Sequence, residues 1–241
     1  MRIPRFYLPQ PLAIETVLSL PEDLGHRLTA VLRLDVGAAV IVFNGRGGEY
    51  QASIIRKQKR HVDLLIHAFD PIERKRQLSI HLGQVISRGE RMDYTLQKVV
   101  ELGVASITPL TSEFCTVKVD AERAEKKHSH WDKIIIHACE QSGRTDKPPL
   151  YPVQSLTSWV SSCTHRQKLM LDPQGQTPLS GVNLHKAGYA LLIGGEGGLS
   201  QQEISFSQQQ GFLSLHLGAL ILRTETAGVV AMAGLHALYG E

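Results

Sequence analysis

Between Leu191 and Ser200 the chain reads LLIGGEGGLS, and this stretch limits the possible folds more than any other. An apolar run of strand length, Tyr189 to Ile193, stops at Gly194, Gly195, Glu196, Gly197 and Gly198. Four glycines there open backbone angles closed to other residues and let main-chain N–H groups approach a ligand. Ser200-Gln201-Gln202-Glu203 then has the spacing of a capping box, with Leu199 and Ile204 at the two positions of a hydrophobic staple. A strand, a bare turn and a helix start are thus predicted in immediate succession. Leu213 to Leu217, a break at Gly218, and Thr224 as the cap of a helix running to about Tyr239 repeat the arrangement. Two such corners predict an open parallel sheet with its ligand at the carboxyl ends of the strands, where helix N-termini favour a carboxylate or phosphate.

The remaining chain divides into two regions. Residues 1–72 read as small-domain β material: a strand at Phe6-Tyr7, a helix from Pro21 to near Arg33, and strands at Ala38 to Phe43, Glu49 to Arg56 and His61 to Phe69. Asn44 to Gly48 joins two of these as a plain hairpin turn, since no helix follows it as phosphate cradling requires. Asp70-Pro71 and the charged run to Arg76 mark a linker. From Gln77 strands and helices alternate, which predicts an α/β fold. Leu78 to Val85 is its first strand, and Ser87-Arg88-Gly89-Glu90 is a second capping-box pattern. Met92, Leu96, Val99 and Val100 keep helical spacing on a buried side, while Arg88, Arg91, Thr95 and Lys98 share another face. Val104 to Leu110 predicts a strand, and Asp120 to about Gly143 a long helix with Ile134, Ile135 and Ala138 inside. Lys168 to Asp172 predicts a strand whose end, Leu171-Asp172-Pro173, can border the same ligand.

A formal charge of +3 is only mildly basic, but after Pro148 the Lys and Arg side chains are limited to Arg166, Lys168, Lys186 and Arg223. Any RNA backbone contacts are therefore expected from the first two thirds. No apolar run approaches the roughly 20 residues that span a bilayer, so a cytoplasmic, soluble protein is expected. Cys115, Cys139 and Cys163 are widely spaced, lack a CxxC, and are expected as reduced thiols. His128, His130, His137 and Glu140 show no metal-ligand spacing, and Glu140 with Arg144 at i, i+4 suggests an ion pair.

The segments IGGEGGLSQQE and LGALILRTETA resemble the carboxyl-terminal signature of the SPOUT methyltransferases, in the branch that methylates N3 of a uridine in small-subunit ribosomal RNA. Met1 to Phe6, His81-Leu82-Gly83-Gln84, Gln97-Lys98 with Glu101-Leu102-Gly103, and Cys139-Glu140-Gln141 with Gly143-Arg144 extend the resemblance over nearly the whole chain. It implies a PUA-like RNA-binding β-barrel at 1–72 and an α/β SPOUT domain at 73–241, with a parallel sheet and a deep trefoil knot. It also implies S-adenosyl-L-methionine as cofactor, 16S rRNA or the assembled small subunit as partner, action in the decoding region, and a homodimer.

On that basis the cofactor is expected against Leu171, Ile193, Gly194, Gly195, Glu196, Gly197, Gly198, Leu217, Gly218, Ile221, Leu222 and Thr224. Arg223 is the candidate to stabilise charge on the uracil oxygens, or else to pair with RNA backbone, and Glu225 is the candidate proton acceptor, or else serves helix N–H groups. Arg2, Arg5, Arg33, Arg88, Arg91, Lys98 and Arg144 are expected to touch RNA. Two positions depart from the family pattern: Gly195 stands where proline is usual and Leu220 where arginine is common. A SPOUT enzyme acting on tRNA or on another rRNA base, and a catalytically idle RNA-binding protein, are the alternatives at this point.

Overall fold

The computed structural model describes residues 3–58, 61–117, 120–185 and 188–240. They form two compact units, one of Met1–Lys75 with Cys139–Lys147, the other of Arg76–Ala138 with Pro148–Glu241.

The first unit is built on a five-stranded sheet ordered β1-β3-β4-β5-β2 from β1 (Arg5–Tyr7), β2 (Val17–Ser19), β3 (Ala39–Phe43), β4 (Glu49–Lys57) and β5 (Val62–Asp70). β1 runs parallel to β3 and the other pairs are antiparallel. Period-two alternation puts Val40, Val42, Ala52, Ile54, Leu64 and Ile66 in one core with Phe6 and Leu28. Pro21 opens α1 (Glu22–His26), whose first turn carries Glu22 and Asp23, and a wider turn continues it to Val31.

Buried charged groups in this unit pair with one another. The Arg5 guanidinium is only 7% exposed; it pairs with the Glu49 carboxylate and donates to the carbonyls of Gly143 (3.2 Å) and Arg144 (3.0 Å). Arg74 Nη1 adds bonds to Glu49 (2.9 Å) and Gly143 O (2.8 Å). Burial raises the Glu49 pKa, but the hydrogen bonds from Arg74 and Arg5 outweigh it and leave the carboxyl below its ordinary value. Arg144 is as buried as Arg5, and its Nη2 lies 2.7 Å from Asp146. Both guanidiniums are thus engaged inside the protein rather than presented to a phosphate, because carbonyl and carboxylate partners hold them. Glu140 accepts from the Tyr7 N–H (3.1 Å) and pairs with Arg27 (2.8 Å), so its ion pair is with Arg27 rather than the expected Arg144. Burial pushes the Cys139 thiol up to about 12, which leaves it unreactive at neutral pH. Arg33 is exposed, and Arg2 lies outside the described residues.

The second unit is a seven-stranded sheet in which every neighbouring pair is parallel. Its strands are β6 (Ser79–Val85), β7 (Ser106–Thr111), β8 (Gln154–Ser155), β9 (Gln167–Leu171), β10 (Thr177–Pro178), β11 (Gly188–Ile193) and β12 (Leu213–His216), ordered β10-β12-β9-β11-β6-β7-β8. Tyr189 to Ile193 is buried residue after residue, as an apolar strand covered on both faces must be. Helices α2 (Glu90–Glu101), α3 (Ala121–Ser142), α4 (Leu156–Ser162), α5 (Gln201–Gln209) and α6 (Thr224–Tyr239) complete the chain. Among the described residues no helix is long and apolar enough to cross a membrane.

Three local expectations change. Gly89 takes a left-handed φ of 56° and itself occupies the N-cap of α2, so Ser87 is displaced from the cap and its buried hydroxyl has no hydrogen-bond partner among the described residues. Thr95 is buried and its hydroxyl donates to Arg91 O (3.0 Å), which moves it from the polar face to the packed face of α2. Ile134 is only half-buried, whereas Ile135 and Ala138 are fully inside.

Candidate active site

β9, β11 and β12 end side by side, because β9 pairs with both of the others. Beyond their carboxyl ends lies a cavity of about 540 Å³, within the range of small-molecule sites. Both glycine corners line it. Its apolar walls are Leu171, Ile193, Leu199, Leu215, Leu217 and Leu222, and its polar lining includes Asp172, Gln174, Gln201, Thr224, Arg91, Glu196 and Glu225.

The first corner is shaped by close approach more than by unusual angles. Within it only Gly198 has a left-handed φ, 71°, and its N–H donates to Gly195 O at 3.1 Å. A Cβ on Gly194 would sit 3.1 Å from the Gly198 carbonyl carbon and 3.2 Å from Leu199 Cγ. A Cβ on Gly197 would meet Phe114 Cβ at 2.9 Å, so Gly197 faces Phe114 and does not line the cavity as expected. The capping box forms as predicted: the Glu203 N–H donates to Ser200 Oγ (3.2 Å) and the Ser200 N–H to Glu203 Oε2 (2.9 Å). Glu203 Oε1 also accepts the Glu113 N–H (2.8 Å), which ties the loop after β7 to the start of α5.

In the second corner Gly218 adopts a φ of 107° and its N–H donates to His216 Nδ1 (3.2 Å). Leu220 and Ile221 border the cavity yet are 80% and 84% exposed. Arg223, not Thr224, holds the N-cap position of α6, with no side-chain cap. The Thr224 hydroxyl is diverted because it donates to Gly194 O at 2.5 Å, bridging the two corners. Gln84, at the end of β6 and 0% exposed, sends its amide to Thr224 Oγ1 (3.0 Å), Val85 O (3.1 Å) and Gly194 O (3.4 Å). Sequence reasoning gave Gln84 no role. The available signal was one amide near the end of a mostly apolar parallel strand.

Charge is arranged around the same mouth. Arg91 pairs with Glu196, whose Oε1 also accepts the Arg88 N–H (3.3 Å), and Arg91 Nε lies 3.9 Å from Glu225 Oε1. Glu225 Oε2 is buried with no hydrogen-bond partner among the described residues. Two carboxylates at a largely apolar cavity suit a ligand that carries positive charge. Arg223 is exposed and lines the cavity, Arg88 is exposed nearby, and Lys98 is engaged with Glu101 (2.9 Å) on α2. Asp172 and Pro173 line the cavity, as the strand end Leu171-Asp172-Pro173 was expected to do, and Gln174, Gln201 and His216 line it although none of these three was expected as a site residue.

Residues 74–236 match the RNA methyltransferase domain family, and residues 20–66 match the RNA methyltransferase PUA domain. Ribosomal RNA small subunit methyltransferase E of Buchnera aphidicola subsp. Schizaphis graminum is 34% identical over 100% of this chain and 98% of its own. A methyltransferase from Legionella pneumophila, solved in complex with bound cofactor SAM, is 40% identical with a TM-score of 0.96 over 98% of both chains. Ribosomal RNA small subunit methyltransferase E from Neisseria gonorrhoeae, bound to S-adenosyl methionine, is 35% identical with a TM-score of 0.91 over 98% of both. Strand order, the two corners and these likenesses converge: the chain belongs to the RNA methyltransferase family of the ribosomal RNA small subunit methyltransferases E.

Proposed function

We propose that this chain transfers a methyl group from S-adenosylmethionine to N3 of a uridine in 16S rRNA of the small ribosomal subunit. The observation that carries the reading is the cavity enclosed by both corners, with Thr224 bonded to Gly194 across them, in a chain whose relatives are named for this reaction class. The residues fit the cofactor. Leu171, Ile193, Leu217 and Leu222 offer apolar walls to an adenine, the loop 194–198 folds tightly on itself because Gly194 has no Cβ, and Glu225 Oε2, buried without a hydrogen-bond partner among the described residues, gives a negative charge to a cationic ligand.

When bound, the cofactor supplies an electrophilic methyl on a sulfonium. The protein's part is positioning: rigid corners hold the acceptor nitrogen near the ~3–3.5 Å at which displacement proceeds. Glu225 takes the N3 proton, and the charge left on the two flanking uracil oxygens is met by Arg223 at the cavity rim. Were the cofactor held there, its methyl would pass to N3 as the N3 proton passes to Glu225, the S–C electron pair staying on sulfur. N3 lies on the pairing edge, so the uridine enters unpaired or extruded. Arg33, Arg88, Arg91 and Lys98 contribute contacts to the RNA backbone. The placement of β11 between the earlier strands β6 and β9 supports a trefoil knot, and the reading includes a homodimer working in the cytoplasm on rRNA.

Incubation with isotope-labelled S-adenosylmethionine and small subunits lacking the modification, followed by nucleoside mass spectrometry, tests the reaction. Labelled 3-methyluridine in 16S rRNA is expected. Label confined to tRNA or to another base would redirect the substrate assignment, and no label with intact RNA binding would support an idle module.

A further inference from the structure

The loop that follows β7 carries an aromatic side chain in an unusual setting. Phe114 is 48% exposed, although loop 112–117 is fastened at three points. The Glu113 N–H donates to Glu203 Oε1 (2.8 Å), the Cys115 thiol donates to Ile86 O (3.6 Å), and Phe114 itself rests on Gly197 so closely that any Cβ there would lie 2.9 Å from its own. The Cβ and carbonyl of Phe114 therefore sit against Gly197 of the glycine loop, whose neighbouring residues Glu196 and Gly198 line the cavity. Glu196 in turn holds Arg91 by an ion pair and accepts the Arg88 N–H, and both of these arginines are exposed. A half-exposed aromatic residue, the Arg91 guanidinium and the Arg88 main chain thus attach to adjacent residues of one loop.

We infer that Phe114 is a stacking platform for an unpaired nucleobase of the RNA substrate, next to the base that is methylated. The inference rests on the RNA methyltransferase reading above. Single-stranded RNA offers flat apolar faces alternating with phosphates, and a ring beside exposed arginines matches both features. One ring suits one base, whereas a stable protein interface takes roughly 800 Å² from each partner. The anchoring matters because a base stacks best on a ring whose point of attachment is held in place, and the Phe114 main chain and Cβ are held by Gly197 and the Glu113–Glu203 bond.

The test uses Phe114→Ala, Phe114→Leu and Phe114→Trp in the full chain, with small ribosomal subunits for kinetics and a short single-stranded RNA carrying 2-aminopurine for fluorescence. Removing the ring is expected to raise KM for RNA by about 5- to 150-fold and to abolish the stacking quench of 2-aminopurine. Leucine matches the bulk but has no flat face, so it should behave as alanine does, while tryptophan should restore both readouts. Cofactor affinity by calorimetry should stay within about twofold. An unchanged KM and quench in the alanine variant, full rescue by leucine, or an equal loss of cofactor affinity would each overturn the platform. The fluorescence readout needs no turnover, so a wild-type protein that quenches the probe yet methylates no RNA overturns the parent reading and leaves the platform supported.

Discussion

Gln84→Leu separates a residue that merely fills the sheet from one that holds two loops in register. Leucine keeps the volume at a 0% exposed site, so the change is chiefly the loss of the amide. Two bonds of ordinary length, to Thr224 Oγ1 at 3.0 Å and Val85 O at 3.1 Å, disappear. A net ~0.5–1.5 kcal/mol per buried bond gives about 1–3 kcal/mol, reduced because the Gln84 Oε1 acceptor, buried without a hydrogen-bond partner among the described residues, is removed too. A net loss near ~1.5 kcal/mol corresponds to a Tm lower by roughly 3–6 °C in a chain of this size. The Thr224 bond to Gly194 O remains but loses the donor that orients it, which weakens the hydrogen-bonded link between the two corners. If the competent arrangement falls to about a tenth of the free protein, the apparent Kd for S-adenosylmethionine rises about tenfold. Calorimetry on the folded variant reads this directly, with a thermal melt in parallel. A lowered Tm with an unchanged Kd would refute the argument, since it would make Gln84 a packing residue alone.

Gly197→Ala places a Cβ 2.9 Å from Phe114 Cβ and 3.3 Å from Phe114 O, so urea denaturation should show a loss of about 1–3 kcal/mol; no loss would mean that loop 112–117 yields freely. Arg223→Ala should leave cofactor Kd within about twofold while turnover falls by roughly 10²–10³, the scale for removing one oxyanion donor, and equal turnover in a methyl-transfer assay would take Arg223 out of the mechanism. Burial lowers the pKa of His81, with His165 adding to it, and burial followed by Lys168 lowers that of His165. The unfolded chain therefore binds more protons below about pH 6.5, and stability should fall as pH drops through that window. Urea midpoints at pH 7.5 and 5.5 measure the slope, which His81→Gln, at the 2.7 Å bond to Ser106, should flatten.

The parts of the fold legible in the sequence are those fixed by neighbours in the chain. Ser200 and Glu203 are three residues apart and the capping box forms as spelled; Tyr189 to Ile193 reads as an apolar run of strand length and lies in a strand. What escaped was decided by residues distant in sequence. Thr224 loses its expected capping role to Gly194, 30 positions away, and Gln84 acquires its role from 110 and 140 positions away. Arg5 looks like any basic residue near a terminus until Gly143 and Arg144 bring their carbonyls to it. Ser87-Arg88-Gly89-Glu90 has the right letters for a cap, but the left-handed Gly89 moves the helix start past Ser87. The glycines of the first corner were readable as a ligand loop, yet that Gly197 turns its back on the cavity follows only from the position of Phe114.

The claim that both corners build one cofactor site is tested most directly by a crystal structure of this chain grown with S-adenosylmethionine. The account predicts density for the adenine among Leu171, Ile193 and Leu222, within hydrogen-bond reach of main chain in 193–198, and the sulfonium on the side of Glu225. Density bound elsewhere, or contacting only one corner while Thr224 and Gly194 have parted, would contradict it.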